Sequence, residues 1–254
     1  MQFTPDLKDK RILVTGASRG IGKAIAQQLA HSGAQVIAHY QRNEAAAQQL
    51  QQQYPNQVEL VRADLSQTAQ VIELFNAVTA NAQNCDALVN NAGIALNSSM
   101  ESPLEDWVTH WQQTLQVNLL AAALLCRQAV NHFQRTHGGI IVNISSRAAF
   151  RGDTPEYMAY AASKGGLVSL TRSIARAYGK EGITAFNVAP GFVATDMAQD
   201  FIDQYGSEIV LKDLALNELT KPEDVAATVA FLCSGRARHA TGCTIDINAG
   251  SYVH

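Results

Sequence analysis

Short apolar runs separated by longer amphipathic stretches recur from Arg11 almost to the end of this chain, and that alternation restricts the fold more than any other feature. Arg11 to Thr15, Gln35 to Tyr40, Gln57 to Ala63, Asp86 to Asn90, Gly139 to Ile144, Ile183 to Val188 and Thr244 to Ile247 read as strands. Gly20 to His31, Gln67 to Ala82 and Tyr157 to Tyr178 read as helices, as does the segment that Asn43 caps and that runs to Gln53. Leu104 to Thr136 reads as one long helical region broken near Thr109. The strands are apolar on both faces, so both faces must be covered. Helices between such strands, joined by right-handed crossovers, give a doubly wound parallel α/β sheet of about seven strands. No repeat, low-complexity tract or linker interrupts the pattern, so residues 1–254 read as a single domain. One irregular section, 191–221, follows the sixth strand. A loop of that length inside a compact domain is usually functional, and this one reads as a lid over the substrate.

Composition removes several functions. Hydrophobic residues make up 47% of the chain and charged residues 16%, which is ample material for one large core. The formal net charge of -3 gives no attraction toward nucleic acid or an anionic membrane. Met1 to Lys10 lacks the apolar centre of a signal peptide. The longest apolar stretches, such as Leu119 to Cys126, fall far short of the ~20 residues that a bilayer span needs. Cys85, Cys126, Cys233 and Cys243 are scattered with no CxxC pair, which argues for reduced buried thiols over a disulfide framework or a metal site. The expected setting is cytoplasmic, with no metal ion.

The turn after the first strand carries Thr15-Gly16-Ala17-Ser18-Arg19-Gly20-Ile21-Gly22 and opens the first helix. In that context Gly16 permits a tight turn, Gly20 lets backbone approach a pyrophosphate, and Gly22 allows close helix packing. The helix N-terminus then offers free N–H groups to the anion. A merely structural turn is the competing reading, and the strand-turn-helix placement favours a dinucleotide and a Rossmann-type sheet. The end of the second strand, His39-Tyr40-Gln41-Arg42-Asn43, has no acid to bond a ribose 2′-hydroxyl. Arg42 and Arg19 can both fork onto a 2′-phosphate, so NADP(H) is favoured over NAD(H), with Glu44 nearby as a counterweight. A solvated loop position is the plainer reading of Arg42. Asp64-Leu65 ends the third strand where an adenine edge would lie, and Asn90-Asn91-Ala92-Gly93 ends the fourth with small and amide side chains. Ligands of such sheets sit at the carboxyl ends of the strands, where these clusters converge.

Tyr160-Ala161-Ala162-Ser163-Lys164 puts a phenol and an ammonium four residues apart, on one face of a helix. A free phenol has pKa ~10 and is a poor base at neutral pH. A cation about 4 Å away favours phenolate by roughly 4 kcal/mol at an effective dielectric near 20, so a pKa lowered by up to ~3 units is expected for Tyr160. Taken alone, the pair also reads as a surface helix contact. Ser146 lies just beyond the fifth strand, where its hydroxyl can hydrogen-bond a carbonyl oxygen. Asn118 lies within the long helical region, where asparagine is not a favoured helix former.

Taken in order, TGASRGIG at Thr15 to Gly22, NNAG at Asn90 to Gly93, Asn118, Ser146 of NISS, YAASK at Tyr160 to Lys164 and PGFVATDM at Pro190 to Met197 resemble the short-chain dehydrogenases/reductases over nearly the whole chain. The resemblance maps the family's catalytic tetrad to Asn118, Ser146, Tyr160 and Lys164, and passes over the neighbours Ser145 and Tyr157; Tyr157 has Ala161, not lysine, four residues on. It implies hydride transfer between nicotinamide and a carbonyl carbon, with Tyr160 moving the proton and Ser146 orienting the substrate oxygen. Lys164 would lower the tyrosine pKa and bond the nicotinamide ribose, and Asn118 would hold a proton-relay water through a local helix distortion. Pro190, Gly191, Val193 and Thr195 look like the segment that holds the carboxamide end of nicotinamide. The resemblance also implies a homotetramer paired through the long helices, which the nearly all-apolar run Leu119 to Cys126 would suit.

Within that family the chain most resembles 3-oxoacyl-acyl-carrier-protein reductases, which implies a 3-oxoacyl thioester as substrate, free or carrier-bound. Glu181 departs from the basic residue often found before the sixth strand there, and Arg135 is the remaining candidate for contact with an acidic carrier. A sugar, polyol or other secondary-alcohol dehydrogenase is the alternative enzyme. Arg147 and Arg151 follow Ser146, and either a substrate-facing or a solvated role fits them. Phe192, Phe201, Ile202 and Tyr205 of the lid can cover an apolar chain or pack the lid itself. A non-catalytic cofactor-binding sensor is the alternative of another class, and it would not need an intact tetrad.

Overall fold

A computed structural model describes residues 5–195 and 211–253. Its seven strands are β1 (Arg11–Val14), β2 (Gln35–Tyr40), β3 (Val58–Arg62), β4 (Ala87–Asn90), β5 (Gly139–Ile144), β6 (Ile183–Pro190) and β7 (Thr244–Ile247). They form one parallel sheet in the order β3-β2-β1-β4-β5-β6-β7. The chain steps outward from β1 to β3, then returns to lay β4 on β1's other side. That reversal opens a crevice at the carboxyl ends of β1 and β4, where ligands of open α/β sheets bind.

Strand residues alternate between two cores. Ile12, Val14, Val36, Ala38, Val142, Ile144, Phe186 and Val188 point to one face. That face is covered by α1 (Gly20–His31), α2 (Glu44–Gln53) and a last helix, here α8 (Pro222–Cys233). Leu13, Ile37, Leu88, Ile141, Ile183 and Ala185 point the other way, toward α3 (Thr68–Val78), α5 (Ala121–Arg135) and α7 (Met158–Tyr178). Each fully buried side chain of this size contributes roughly 1.5–3 kcal/mol. Two-sided burial is why the strands read as continuous apolar runs.

Two expectations are corrected. The long helical region is not broken near Thr109, whose hydroxyl back-bonds to the Glu105 carbonyl inside α4 (Leu104–Leu115). The irregularity is a π-helical turn at Gln116–Leu120, between α4 and α5. A π turn is one wider turn inside an otherwise continuous helix, too short for a hydrophobic period to mark. Helix α8 was also unforeseen, although Pro222 opens it, Glu223 and Asp224 fill its first turn, and the Asp224 carboxylate accepts the Lys221 N–H. It packs on α1 and closes one face of the sheet. A four-residue helix, α6 (Ala148–Arg151), follows Ser146. Among the described residues no helix is long and apolar enough to cross a membrane.

Candidate active site

The turn after β1 is held from three sides. Thr15 Oγ1 accepts the N–H groups of Asn91 and Ala92 at 2.9 and 3.0 Å. Asn91 Nδ2 donates to the carbonyls of Thr15 and Gly16. The Gly16 N–H donates to His39 Nδ1 at 3.1 Å. Gly16 sits at φ +67, in the left-handed region, and a Cβ on Gly22 would lie 2.1 Å from the Gly16 carbonyl oxygen. The loop can therefore hug α1 only with glycine there, and it aims the N-terminus of α1, with Ser18, Arg19, Gly20 and Ile21, at the crevice. Thr195, beyond β6, faces that terminus: a Cβ on Gly20 would come within 3.3 Å of its methyl. Gly191 donates to the Ile247 carbonyl, and Val193, nearly fully buried, bridges to Thr220. Pro190, Gly191, Val193 and Thr195 thus form the wall opposite the glycine turn.

A cavity of about 440 Å³ opens beside the ends of β2 and β3, lined by Gln41, Arg42, Arg62, Ala63, Asp64 and Gln70. Arg42 is exposed and lines it. Arg62 and Gln70 were missed: pairing of β3 with β2 brings Arg62 here, and the first turn of α3 brings Gln70. Arg62 Nε donates to the Gln41 carbonyl, and Gln70 Oε1 accepts the Asp64 N–H. The Asp64 carboxylate accepts the Ser66 N–H and does not reach the glycine turn. Tyr40 and Leu65 are buried and do not line this cavity. A glycine cradle that any Cβ would fill, a free helix N-terminus and a cavity with two guanidinium groups fit a phosphorylated dinucleotide.

The other half of the crevice gathers Asn118, Ser146, Tyr160 and Lys164. Lys164, from α7, is 3% exposed; its Nζ donates to the Ile144 carbonyl at 2.9 Å and lies 5.5 Å from the Tyr160 ring centre. A Cβ on Gly93 would sit 3.3 Å from both Lys164 Nζ and Asn118 Oδ1, so NNAG, the π turn and YAASK meet at one point. The Asn118 side chain exchanges two 2.8 Å bonds with the backbone of Ile94 and donates to Ser163 Oγ, which in turn donates to the Tyr160 carbonyl. With its side chain so committed, Asn118 offers only backbone from the π turn. Ser146 Oγ accepts the Ala148 N–H and hydrogen-bonds the Tyr160 phenol. Ser145 points away, into the sheet, between Asn187 Nδ2 and the Val188 carbonyl.

Electrostatics here reverse one expectation. Burial pushes the Tyr160 phenol up to about 12, Ser146 pulls it down, and the Asp153 charge raises it further. Burial also lowers Lys164 to about 8. The ammonium, which is bonded to a backbone carbonyl and lies 5.5 Å from the ring centre, does not offset desolvation of the phenolate. At neutral pH the phenol holds its proton and is set to donate it.

Next to Ser146, Arg147 and Arg151 both bind Asp213, at 2.8 and 2.5 Å, from the section 191–221. Arg147 is almost fully buried and stacks on Phe192, 4.6 Å from its ring centre. Neither arginine is simply solvated. Glu181 accepts from Gln134, and Arg135 is exposed. Asp196, Met197, Phe201, Ile202 and Tyr205 lie outside the described residues.

Fold and site together define an oxidoreductase that works with a nicotinamide cofactor. The chain belongs to the short-chain dehydrogenase/reductase family: the short-chain dehydrogenase family model described as enoyl-(acyl carrier protein) reductase matches residues 16–252. It is 34% identical to a 3β-hydroxysteroid dehydrogenase of Eggerthella lenta, over 98% of this chain and 96% of that one. It is equally identical to a 3-oxoacyl-(acyl-carrier-protein) reductase of Staphylococcus aureus, over 96% and 98%. A solved structure described as an NAD(P)-dependent gluconate 5-dehydrogenase of Beutenbergia cavernae, with NADP at low occupancy, superposes with a TM-score of 0.90 at 30% identity, covering 98% and 99% of the two chains.

Proposed function

We propose that this protein is an NADP(H)-dependent carbonyl reductase in which Tyr160 delivers the proton. The bound cofactor would supply the hydride. The chain's own groups supply geometry and the proton. Ser146 Oγ and the Tyr160 hydroxyl converge on one substrate oxygen, and the phenol proton passes to it as negative charge develops. Lys164, held between the Ile144 carbonyl and the phenol ring, would bond the nicotinamide ribose and keep positive charge beside that oxygen. Asn118 would set the π turn whose backbone holds a relay water. Gly16 to Gly22 would cradle the pyrophosphate, Tyr40, Asp64 and Leu65 would flank the adenosine, Asn91 to Gly93 would lie along its riboses, and Pro190 to Thr195 would hold the carboxamide. NADP(H) preference is supported by Arg42 and Arg62 on one cavity and by the NADP in the Beutenbergia cavernae protein. The observation that carries the reading is the part-buried phenol grouped with a buried hydroxyl and a buried ammonium at the ends of β4 and β5.

For the substrate we favour a 3-oxoacyl thioester, supported by the Staphylococcus aureus relative. A hydroxylated or sugar-acid substrate is the second reading, supported by the gluconate dehydrogenase likeness and the two arginines beside Ser146. We place the enzyme in the cytoplasm, which accords with free cysteines at all four positions. We also read it as a homotetramer, for which exposed Leu104, Val108 and Leu120 on the α4–α5 side are suited. The test is a spectrophotometric screen of 3-oxoacyl thioesters, steroid ketones and keto sugar acids with NADPH and NADH in parallel. Turnover of a thioester with NADPH is expected. Turnover with NADH alone would overturn the cofactor preference, and turnover of sugar acids alone would select the second substrate class.

A further inference from the structure

His39 is 2% exposed at the end of β2, directly beneath the glycine turn. Its Nδ1 accepts the Gly16 N–H at 3.1 Å, and its Nε2 faces the Ala63 carbonyl at 3.1 Å. The first partner needs an acceptor and the second needs a donor, so the ring is neutral with its proton on Nε2. One imidazole thus ties the turn after β1 to the end of β3, the two walls between which the adenosine half of a dinucleotide would lie. The backbone adds a parallel strap, since the Ala17 N–H donates to the His39 carbonyl. We infer that His39 is a positioning residue for the cofactor: its neutral, Nε2-protonated ring sets the height of the Gly16 turn, and protonating it unseats that turn. This rests on the dinucleotide reading given above.

A second proton on the ring would put an N–H at Nδ1 against the Gly16 N–H, donor against donor. Burial lowers the His39 pKa, while the Ala63 carbonyl and the Asp64 charge raise it. The segments packed round the ring carry Arg19 after β1, Arg42 after β2, and Arg62 and Asp64 at the end of β3. Of these, Asp64 is the one whose field favours the imidazolium. Asparagine can mimic Nδ1 with Oδ1 and so keep an acceptor for Gly16 without a group that titrates. Leucine fills similar volume and offers no acceptor.

The test is isothermal titration of NADP⁺ into wild type, His39→Asn and His39→Leu between pH 5 and pH 8, with melting curves for each. The leucine variant is expected to bind about tenfold more weakly at pH 8, because a buried N–H loses its acceptor. In turnover, that loss appears in cofactor KM and not in kcat. The wild type is expected to lose affinity on acidification more steeply than the asparagine variant, whose residual slope reports the ligand's own phosphates. Nitrogen-15 spectra of the wild type should show an Nε2-protonated imidazole, assigned to His39 by its loss in His39→Asn, that titrates with the affinity. Equal slopes in wild type and His39→Asn, or full affinity in a folded His39→Leu, would overturn the role of His39 alone. Should the leucine variant fail to fold, the two slopes and the spectra decide. Absence of NADP⁺ binding by wild type at every pH would overturn the dinucleotide reading with it.

Discussion

The two halves of the crevice are held together by different means. On the glycine-turn side, side chains bond backbone across strands: Thr15 to Asn91 and Ala92, Asn91 to Gly16, His39 to Gly16 and Ala63. These bonds are buried or partly buried and fixed in register by the sheet. On the 191–221 side the described attachments include backbone bonds from Gly191 to Ile247 and from Ala215 to Ala249, Phe192 under the Arg147 guanidinium, and Asp213 clamped by Arg147 and Arg151. The Asp213 side chain is 42% exposed, which leaves its ion pairs partly screened. The contrast matches two tasks. On the proposed reading a cofactor would need a preorganised cradle, whereas a substrate would enter and leave beneath a segment held in part by screened ion pairs.

That contrast can be broken from either side. Gly22→Ala should do the most damage, because its methyl would overlap the Gly16 carbonyl at 2.1 Å. A loss of roughly 3 kcal/mol is expected, read as a melting temperature lower by about 6–12 °C together with lost cofactor affinity. Acidity comes next. Reduction needs a protonated Tyr160 and a charged Lys164, and burial sets these at about 12 and about 8. Below about 8 both hold their protons; as pH rises through that value Lys164 loses its charge first. The kcat/KM for reduction should therefore be flat at neutral pH and fall by up to about tenfold per unit above the Lys164 value. Arg42→Gln should raise KM for NADPH by about tenfold and leave NADH unchanged, since one charge-assisted phosphate contact is removed. Asp213→Asn should be mildest, raising substrate KM by at most about fivefold with no change in cofactor KM. A larger effect on cofactor than on substrate would erase the distinction between the halves.

Sequence reading reached the parts of the crevice that are contiguous in the chain and missed those that only tertiary pairing assembles. β2, β5 and β7 and helix α1 fall at the boundaries their apolar patterns mark, and the glycine turn is contiguous in sequence. Tyr160 and Lys164 are one helical turn apart, so their meeting is local. His39 beneath Gly16, Arg62 beside Arg42, and Asp213 between two arginines are pairings across 20 or more positions that no periodicity encodes. The tyrosine pKa was misjudged because proximity of a cation was counted without the burial that accompanies it. Helix α8 was missed although its Pro222, Glu223 and Asp224 form a recognisable start.

The most direct test is single-turnover reduction by Tyr160→Phe, with NADP⁺ affinity measured on the same preparation. Loss of the proton donor from an otherwise intact crevice predicts a rate lower by about 10²–10⁴-fold with affinity within about twofold of wild type. A variant that still reduces its substrate at near wild-type rate would contradict proton delivery by this phenol.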